Sequence, residues 1–412
     1  MVSERPRCQY YMAQKKRQCN MTRRKEEKYC AEHLVVLGRS SIEKQGRERK
    51  RVPCPLDPKH SVWEDQVKNH VKKCSAKRKL EKPTCNWFKE DHNLVGCDPQ
   101  DSLQAFRDRV SDLDYDKWIP MIRKVYEKVK HEPVRRAIES DSALESRLME
   151  LENQKHALQQ SSLIGHMKRV GALDRHNVIA EFGCGRGELS RYVCRAMSMD
   201  SQNDGSNSGD AQKHWLIDRA GPRLKLDSKL AKDFEESGAS GEKPIVARTK
   251  VDIKDLYIDD EVLEQLGFGK HDKVSAVSKH LCGCATDLTL ECLNKSSCKV
   301  GAIAIALCCR QLCSYETYPL TGRDWLKENG IDSEGFHSIA RMSSWAVCGR
   351  RPQPTVHKSG LDYDQREEIG LMCRRIIDYG RVISLRQQGY KVELVQYVDS
   401  DISLENVCLL AN

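Results

Sequence analysis

The chain has 412 residues, enough for about two or three domains, and its apolar fraction of 39% is enough to build a core. With no apolar run of about 18 residues, a transmembrane helix is excluded. The polar N-terminus "MVSERPRCQYY" excludes a secretory signal. We therefore expect an intracellular protein, cytoplasmic or nuclear or both, without a membrane partner.

The cysteines indicate the chemistry of the chain, and the distribution of charged residues indicates the kind of partner that it binds. In a reducing compartment, clusters of Cys and His among the 19 cysteines indicate metal or catalytic chemistry rather than disulfides. Residues 1–82 carry 23 Lys and Arg against 10 Asp and Glu, whereas the rest of the chain has a net charge of −4. This basic N-terminal fifth indicates a polyanionic partner, with a merely solvated tail as the alternative.

Residues 1–35 hold the first candidate metal module, in which the ligands would be Cys8, Cys19, Cys30 and His33. Cys30 and His33 are closely spaced in the sequence. The gap from Cys8 to Cys19 equals the gap from Cys19 to Cys30. Free thiols in a flexible arm are the alternative. Residues 36–52 follow as a basic linker.

Residues 53–76 form a second candidate module with the ligands Cys54, His60, His70 and Cys74. Helical spacing places His70 and Cys74 one turn apart, and thiolate and imidazole ligands favour Zn²⁺. A unit this small cannot bury a core, so metal binding would supply its folding energy.

Basic and aromatic residues lie between the ligands of both modules, among them Tyr10, Tyr11, Tyr29 and Trp63. Cationic side chains contact phosphates and aromatic rings stack on bases, so these modules are predicted to bind RNA.

Residues 101–170 are predicted to be helical. Leu144, Leu148, Leu151 and Leu158 follow a short heptad pattern, which extends over barely two heptads. This length favours a helix packed on its own domain over a coiled coil.

From residue 171 to residue 412 the pattern becomes α/β. Strands are predicted at 178–182, 214–218, 245–251, 274–278, 300–307, 391–398 and 406–411. A long helix is expected over 361–388, and a polar loop without its own structure over 198–212. Alternating strands and helices predict a mostly parallel, seven-stranded sheet that ends in an antiparallel hairpin.

The run "VIAEFGCGRGELSRY" is the most informative part of this domain. Glu181, Gly183, Gly185 and Gly187 follow a buried strand and open a helix. An acid two residues before G-x-G-x-G favours S-adenosylmethionine (SAM) over a dinucleotide, because SAM has no pyrophosphate and carries positive charge. Asp218 ends the second strand, where it would bind the ribose hydroxyls, and Asp252 ends the third, near the adenine. A purely structural glycine turn is the alternative.

The segments after the fourth and fifth strands are predicted to face the methyl acceptor. Lys279, His280 and Asp287 are candidates for activating or orienting it, with Arg310 as a contact to phosphate. The nearby Cys308, Cys309 and Cys313 are open to three interpretations: a third metal site, a nucleophile, or packing in the wall of the site.

Taken together, the CCCH and CHHC segments, "EFGCGRGELS", "SKHLCGCATDL", "ALCC" and "CRRIIDYGR…ENVCLLA" resemble the eukaryotic tRNA 2′-O-methyltransferases that modify nucleotide four of the acceptor stem, the Trm-thirteen family. The resemblance covers nearly the whole chain. It implies a Rossmann-like SAM-dependent methyltransferase fold, tRNA as partner, and SAM and Zn²⁺ as cofactors. Where the family pattern has two histidines after the Cys pair, this sequence has Arg310 and Gln311, which suggests a divergent active site.

Two other functions fit the same motifs. The first is an RNA cytosine-C5 methyltransferase that uses Cys308 or Cys309 as nucleophile. The second is an RNA-binding scaffold whose SAM fold has lost activity. No obligate protein partner is evident from the sequence.

Overall fold

The computed structural model describes residues 6–12, 17–38, 41–44, 47–74, 85–203, 210–222, 226–236, 242–348 and 357–412. The chain divides into two compact units, Met1–Thr84 and Cys85–Asn412. Among the described residues, no helix has the length and apolar character needed to cross a bilayer.

The first unit is built from short elements. These are β1 (Tyr11–Met12), β2 (Arg17–Gln18), α1 (Ala31–Val36), β3 (Ser41–Lys44), β4 (Arg47–Cys54), β5 (Asp57–Trp63) and α2 (Val67–Lys73). β1 and β2 form an antiparallel pair, and β3, β4 and β5 form an antiparallel three-stranded sheet. The basic stretch predicted as a linker over 36–52 therefore contains strands, since β4 pairs with β5 from Arg51 onward and runs directly to the ligand Cys54.

The second unit contains eleven helices and eight strands within its described residues. The strands are β6 (Arg135–Arg136), β7 (Asn177–Phe182), β8 (Lys213–Asp218), β9 (Ile245–Lys250), β10 (Lys273–Cys282), β11 (Val300–Cys308), β12 (Val392–Gln396) and β13 (Val407–Ala411). The helices are α3 (Leu103–Arg109), α4 (Tyr115–Val129), α5 (Glu145–Glu150), α6 (Lys155–Arg169), α7 (Glu188–Asn203), α8 (Asp227–Glu236), α9 (Asp260–Gln265), α10 (Cys284–Lys295), α11 (Leu320–Glu328), α12 (Ser333–Met342) and α13 (Tyr363–Gln387).

The strands form one sheet in the order β6-β12-β13-β11-β10-β7-β8-β9. β7 to β11 pair in parallel, and β13 lies antiparallel to both β11 and β12. This confirms the predicted mostly parallel sheet with a terminal antiparallel hairpin. The predicted count of seven strands was too low by one, because β6 pairs with the edge strand β12. Two consecutive arginines carry no strand signal in the sequence, so this pairing was not foreseeable.

The central strands are buried on both faces, which explains their continuous apolar runs. All six residues of β7 are buried. Their side chains alternate between two cores: Val178 and Phe182 pack on one face, and Ile179 packs on the other. A third core, formed among α3, α4, α12 and α13, surrounds Trp118 and Phe336.

The segment predicted as helical over 101–170 is interrupted. It contains four helices with β6 between α4 and α5, and the heptad pattern is broken where α5 ends at Leu151. Leu144 is fully buried, and Leu148 and Leu151 pack beside it against the sheet, as expected for residues that pack on their own domain.

The helix α7 extends further than the sequence suggested. Residues 198–203 were predicted as part of a polar loop, yet they continue α7. Ser198 and Ser201 donate their hydroxyls to the carbonyls of Cys194 and Met197, one turn back, which lets these polar residues remain helical. Residues 204–209 of the predicted loop lie outside the described residues.

Close packing between α13 and the segment before α11 leads to a stability prediction. A Cβ at Gly380 would overlap the hydroxyl of Tyr318, a fully buried residue whose hydroxyl donates to Ile377 at 2.6 Å. We expect Gly380→Ala to destabilise the fold by about 1–3 kcal/mol, as overpacking does, in urea unfolding. Gly221→Ala is the matched control, since a Cβ there meets nothing within 4 Å. Equal stability of the two variants would contradict the prediction.

Candidate active site and metal centres

The glycine-rich turn joins β7 to α7 along the carboxyl edge of the sheet. Gly183, Gly185 and Gly187 have φ values of 68°, 50° and 83°, a region that residues with a Cβ rarely adopt. A Cβ at Gly183 would lie 3.2 Å from the carbonyl oxygen of His280, so the turn lies against the end of β10. Around Gly185 a Cβ would meet nothing within 4 Å, so there is open space beside the Cα of this residue.

Glu181 is buried behind this turn. Its carboxylate accepts hydrogen bonds from the backbone N–H of Ser190, at 3.0 Å, and from the Ser190 hydroxyl. Burial raises the pKa of Glu181 to about 7, against the opposing effect of the Ser190 hydrogen bonds. Glu181 therefore ties β7 to the first turn of α7, whereas the sequence had suggested a direct cofactor contact.

Asp218 and Asp252 lie at the carboxyl ends of the adjacent parallel strands β8 and β9. Asp218 accepts from the N–H of Gly185 at 2.8 Å and from the N–H of Ala220 at 2.7 Å. Asp252 accepts from the N–H of Lys254 at 3.2 Å and so begins a short 3₁₀ turn. The structure thus brings Asp218 into direct contact with the glycine turn and places Asp252 at the neighbouring strand end.

Arg248 is a residue of this site that sequence reasoning missed. From β9 it donates to the carbonyl oxygen of Gly185 at 2.9 Å and to the Asp227 carboxylate at 2.7 and 2.9 Å. It also lies 3.0 Å from the Cys184 sulfur. Arg248 therefore holds the glycine turn through the carbonyl of Gly185, whose N–H is held by Asp218. Its one signal in the sequence was an arginine in the middle of an otherwise largely apolar predicted strand, "IVARTKV".

These residues fit SAM on chemical grounds. The cofactor carries an ammonium and a sulfonium, which carboxylates accommodate, and its ribose hydroxyls need acceptors such as Asp218. The turn leaves open space beside Gly185, and the N-terminus of α7 follows it. When bound, SAM supplies an electrophilic methyl carbon.

On the acceptor side, Lys279 and His280 lie near the end of β10 with different neighbours. The Lys279 Nζ is 3.0 Å from Nδ1 of His156 on α6, and burial lowers the pKa of Lys279. The His280 ring instead faces sulfur, with Nε2 at 3.2 Å from Cys282 and Nδ1 at 3.5 Å from Cys308.

Arg310 was predicted to contact phosphate, but its side chain is fully buried and already paired. It donates to Asp378 at 2.7 and 3.1 Å and to Glu405 at 2.7 Å. Asp287, a candidate for orienting the acceptor, is likewise buried and accepts two hydrogen bonds from Arg381, at 2.7 and 3.0 Å. Both residues therefore belong to an internal ion-pair network and offer no face to a substrate.

The first metal cluster brings together the four residues predicted for it: Cys8, Cys19, Cys30 and His33 have ligand atoms that all lie within 4.8 Å of one another. The His33 Nδ1 is 3.4 Å from the Cys8 sulfur and 3.3 Å from the Cys30 sulfur. Tyr10 stacks on the His33 ring at 3.9 Å, so Tyr10 supports the cluster and is not a free stacking surface.

The second cluster likewise brings together its predicted residues, Cys54, His60, His70 and Cys74. The two sulfurs are 3.8 Å apart, and each has a histidine Nε2 near it: His70 at 3.2 Å from Cys54, and His60 at 3.6 Å from Cys74. Four soft or borderline ligands with nothing else to form a core are the donor set of structural Zn²⁺.

The two clusters are connected through Glu32, which lies on α1 beside His33. The Glu32 carboxylate pairs with Arg51 and accepts from Ser61 Oγ at 2.7 Å and from the Ser61 N–H at 3.2 Å. Arg51 also lies 5.0 Å from the centre of the Trp63 ring. One carboxylate therefore holds together the helix of the first module and the hairpin of the second.

Comparison with known families agrees with this arrangement. Residues 158–412 match the family described as "Methyltransferase TRM13". Residues 6–34 match "CCCH zinc finger in TRM13 protein", and residues 51–75 match "U11-48K-like CHHC zinc finger". The family match implies SAM, and the two finger matches fall on the two clusters described above, as predicted from the sequence.

Curated relatives resemble the chain over nearly its whole length. The proteins named "tRNA:m(4)X modification enzyme TRM13" from Yarrowia lipolytica and Saccharomyces cerevisiae are 42% and 35% identical, over 98% and 99% of this chain. The alignments cover 90% and 96% of those relatives. A solved structure titled as a putative sarcosine dimethylglycine methyltransferase from Galdieria sulphuraria aligns at 11% identity with a TM-score of 0.23, covering 71% of this chain and 96% of that one, and no argument rests on it.

The buried position of Glu181 predicts a pH-dependent stability. In the folded chain the Glu181 carboxyl stays protonated up to about pH 7. In the unfolded chain a glutamate carboxyl loses its proton near pH 4.3. The folded state therefore loses stability as the pH rises between these two values. We expect Glu181→Gln to gain stability relative to the wild type as pH rises from about 5 to about 8. Urea unfolding at each pH measures the difference. Glu188→Gln, which removes an exposed carboxylate from the same helix, is the control and should lack that trend.

The second metal cluster predicts a change in zinc content. Cys74→Ser removes one of four ligands, and we expect about one zinc fewer per chain and loss of the α2 helix, because metal binding supplies the folding energy there. Elemental analysis measures the metal. Cys348→Ser is the control, since Cys348 is exposed and belongs to no metal cluster among the described residues. An unchanged zinc content in Cys74→Ser would refute the assignment.

Proposed function

This chain belongs to the TRM13 methyltransferase family, and from that premise we propose that it methylates tRNA, transferring the methyl group of SAM to the ribose 2′-hydroxyl of nucleotide four in the acceptor stem. One observation carries the proposal: the glycine turn, Asp218, Asp252 and Lys279 all lie along the carboxyl edge of one sheet. The printed names of the relatives support tRNA as the substrate.

The cofactor side of the site is assigned to the turn and the two carboxylates. Asp218 would accept from the ribose hydroxyls, and Asp252 would accept from the adenine amino group at the next strand end. Gly183, Gly185 and Gly187 allow the backbone to approach the cofactor. Glu181 acts from behind as a positioning residue, through its hydrogen bonds to the start of α7.

The acceptor side is assigned to Lys279, with His156 beside it. Holding the hydroxyl oxygen in line with the methyl carbon supplies much of the rate, since the sulfonium is already a strong electrophile. Lys279, in the neutral amine form that its burial favours by lowering its pKa, would accept the hydroxyl proton at Nζ, and the bound cofactor would supply the methyl group. His280 and Arg310, the other two candidates, are occupied by the sulfur cluster and by the ion-pair network.

A basic cleft next to the glycine turn supports a nucleic-acid substrate. It has a volume of about 380 Å³ and is lined by five cationic residues, Arg147, Arg186, Arg191, Arg195 and Lys229, against two acids, Glu150 and Glu188. Phosphates would bind there, with the zinc modules and their basic surroundings as a second contact, so affinity should fall steeply with salt. A tRNA substrate also fits the intracellular location predicted from the sequence.

The cytosine-C5 alternative has weaker support. Cys308 is 5% exposed, and its sulfur faces His280 and Cys282 rather than open space. Product analysis separates the two reactions, because a 2′-O-methyl group protects the adjacent phosphodiester from alkaline cleavage and a base methyl group does not.

The role of Lys279 predicts a specific loss of activity. We expect Lys279→Ala to lower kcat/KM by about 100-fold or more, the usual contribution of a positioned acid–base group. The assay is transfer of labelled methyl from SAM to tRNA, with the product nucleotide mapped by alkaline cleavage and mass spectrometry. Lys273→Ala is the matched control, because Lys273 is an exposed lysine at the opposite end of the same strand.

Two further controls make the outcome decisive. A tRNA with a 2′-deoxynucleotide at position four should accept no methyl group, and Asp218→Ala should weaken SAM binding. Methylation of the deoxy substrate, or full activity in Lys279→Ala, would overturn the proposed reaction. Binding of tRNA and SAM without any transfer would instead favour the scaffold function.

A further inference from the structure

A third group of metal-ligating side chains lies at the carboxyl ends of β10 and β11. It consists of His280, Cys282, Cys308 and Cys309, whose ligand atoms all lie within 4.8 Å of one another. Neither zinc-finger match includes any of these residues, since those matches end at residue 75. We propose that these four residues form a third zinc site, of the Cys₃His type, built into the methyltransferase domain itself.

The spacing of the ligand atoms is that of a tetrahedral zinc site. With Zn–S of about 2.3 Å and Zn–N of about 2.0 Å, tetrahedral geometry places sulfurs about 3.8 Å apart and sulfur and nitrogen about 3.5 Å apart. The Cys282 and Cys308 sulfurs are 3.8 Å apart. The His280 Nε2 lies 3.2 Å from the Cys282 sulfur, and the other ring nitrogen, Nδ1, lies 3.5 Å from the Cys308 sulfur; one of the two nitrogens would bind the metal.

The two zinc fingers of the same chain provide an internal standard. In the CHHC finger, the sulfurs of Cys54 and Cys74 are also 3.8 Å apart, and its sulfur–nitrogen distances are 3.2 and 3.6 Å. The third cluster reproduces the sulfur–sulfur distance of 3.8 Å, and its two sulfur–nitrogen contacts, 3.2 and 3.5 Å, involve the two different nitrogens of the His280 ring. The ligands of the third cluster lie at the ends of two neighbouring strands, β10 and β11, and not in a small finger.

The backbone around the cluster is shaped to bring the ligands together. Cys309 has φ 49° and ψ 45°, a left-handed conformation that is uncommon for a residue with a side chain. Its N–H donates to Glu405 at 2.9 Å, which fixes this turn. Gly283 has φ 52°, and a Cβ there would lie 2.5 Å from Cβ of Leu312, so only glycine allows the two strand ends to approach. Strain of this kind is retained where geometry serves a site.

Four protein ligands make a closed site, and closed zinc sites are structural. Zinc binding would release the thiol protons to solvent and cross-link the end of β10 to the end of β11. His280 would then act as a ligand and not as a proton acceptor. Because Lys279 immediately precedes His280, the metal would fix the strand end that carries the proposed acceptor-side residue.

The test is the zinc content of the full-length protein, dialysed against zinc and then against buffer. We expect three zinc ions per chain in the wild type and two in Cys282→Ser. Cys284→Ser is the matched control, because Cys284 lies two residues away and outside the cluster; it should retain three. Two ions in the wild type, with no loss in Cys282→Ser, would overturn the proposal.

Thiol reactivity gives a second readout that does not require a folded variant. In the native protein, zinc should protect Cys282, Cys308 and Cys309 from iodoacetamide, and a chelator should expose them, as measured by peptide mass mapping. A disulfide between two of these cysteines in the purified protein would refute the zinc site in favour of a redox pair. Both readouts are independent of methyl transfer, so failure of the proposed reaction would leave them unchanged.

Discussion

Parallel pairing of β7 to β11 is the constraint on which the rest of the second unit depends. Parallel strands all end at the same edge of a sheet. The residues that follow these five strands therefore lie along one line, although they are far apart in sequence. The glycine turn, Asp218, Asp252, Lys279 and the cysteine cluster all lie along that line. The cofactor and acceptor roles assigned to this domain follow from the residues that these strands carry at their ends.

A buried ion-pair network lies next to this edge of the sheet, around the loop that follows β11. Asp378 accepts hydrogen bonds from both Arg310 and Arg381. Arg381 also donates to Asp287. Glu405 accepts hydrogen bonds from both Arg310 and Arg374. Buried pairs of this kind contribute little net stability compared with apolar packing, but removing one partner leaves an uncompensated charge. The network connects α10, α13 and the β12–β13 connection to the loop after β11, so it fixes the geometry of that loop.

The sequence was sufficient for the parts of the molecule that have local signals. Apolar runs revealed the seven long strands, and the clustering of Cys and His residues revealed both finger ligand sets. Contacts between distant segments were beyond its reach. The pairing of Arg310 with Asp378 spans 68 residues, and an arginine next to an acceptor site suggests phosphate binding until its partner is seen. Arg248, β6 and the position of Cys282 beside His280 were missed for the same reason, because only the tertiary fold brings them to their neighbours. A metal role had been left open for Cys308, Cys309 and Cys313, but Cys313 lies 3.1 Å from the Arg381 guanidinium, and His280 and Cys282 complete the cluster instead.

Glu32 has a consequence for how the N-terminal unit assembles. Its carboxylate belongs to one finger and accepts hydrogen bonds from the hairpin of the other, so each finger presents half of a polar contact that is complete only when both are folded. Two metal-dependent folding events that share a contact become thermodynamically linked, and filling either one raises the affinity of the other. The basic N-terminal fifth of this chain would therefore load its two fingers cooperatively, so that the loss of one metal weakens the binding of the other.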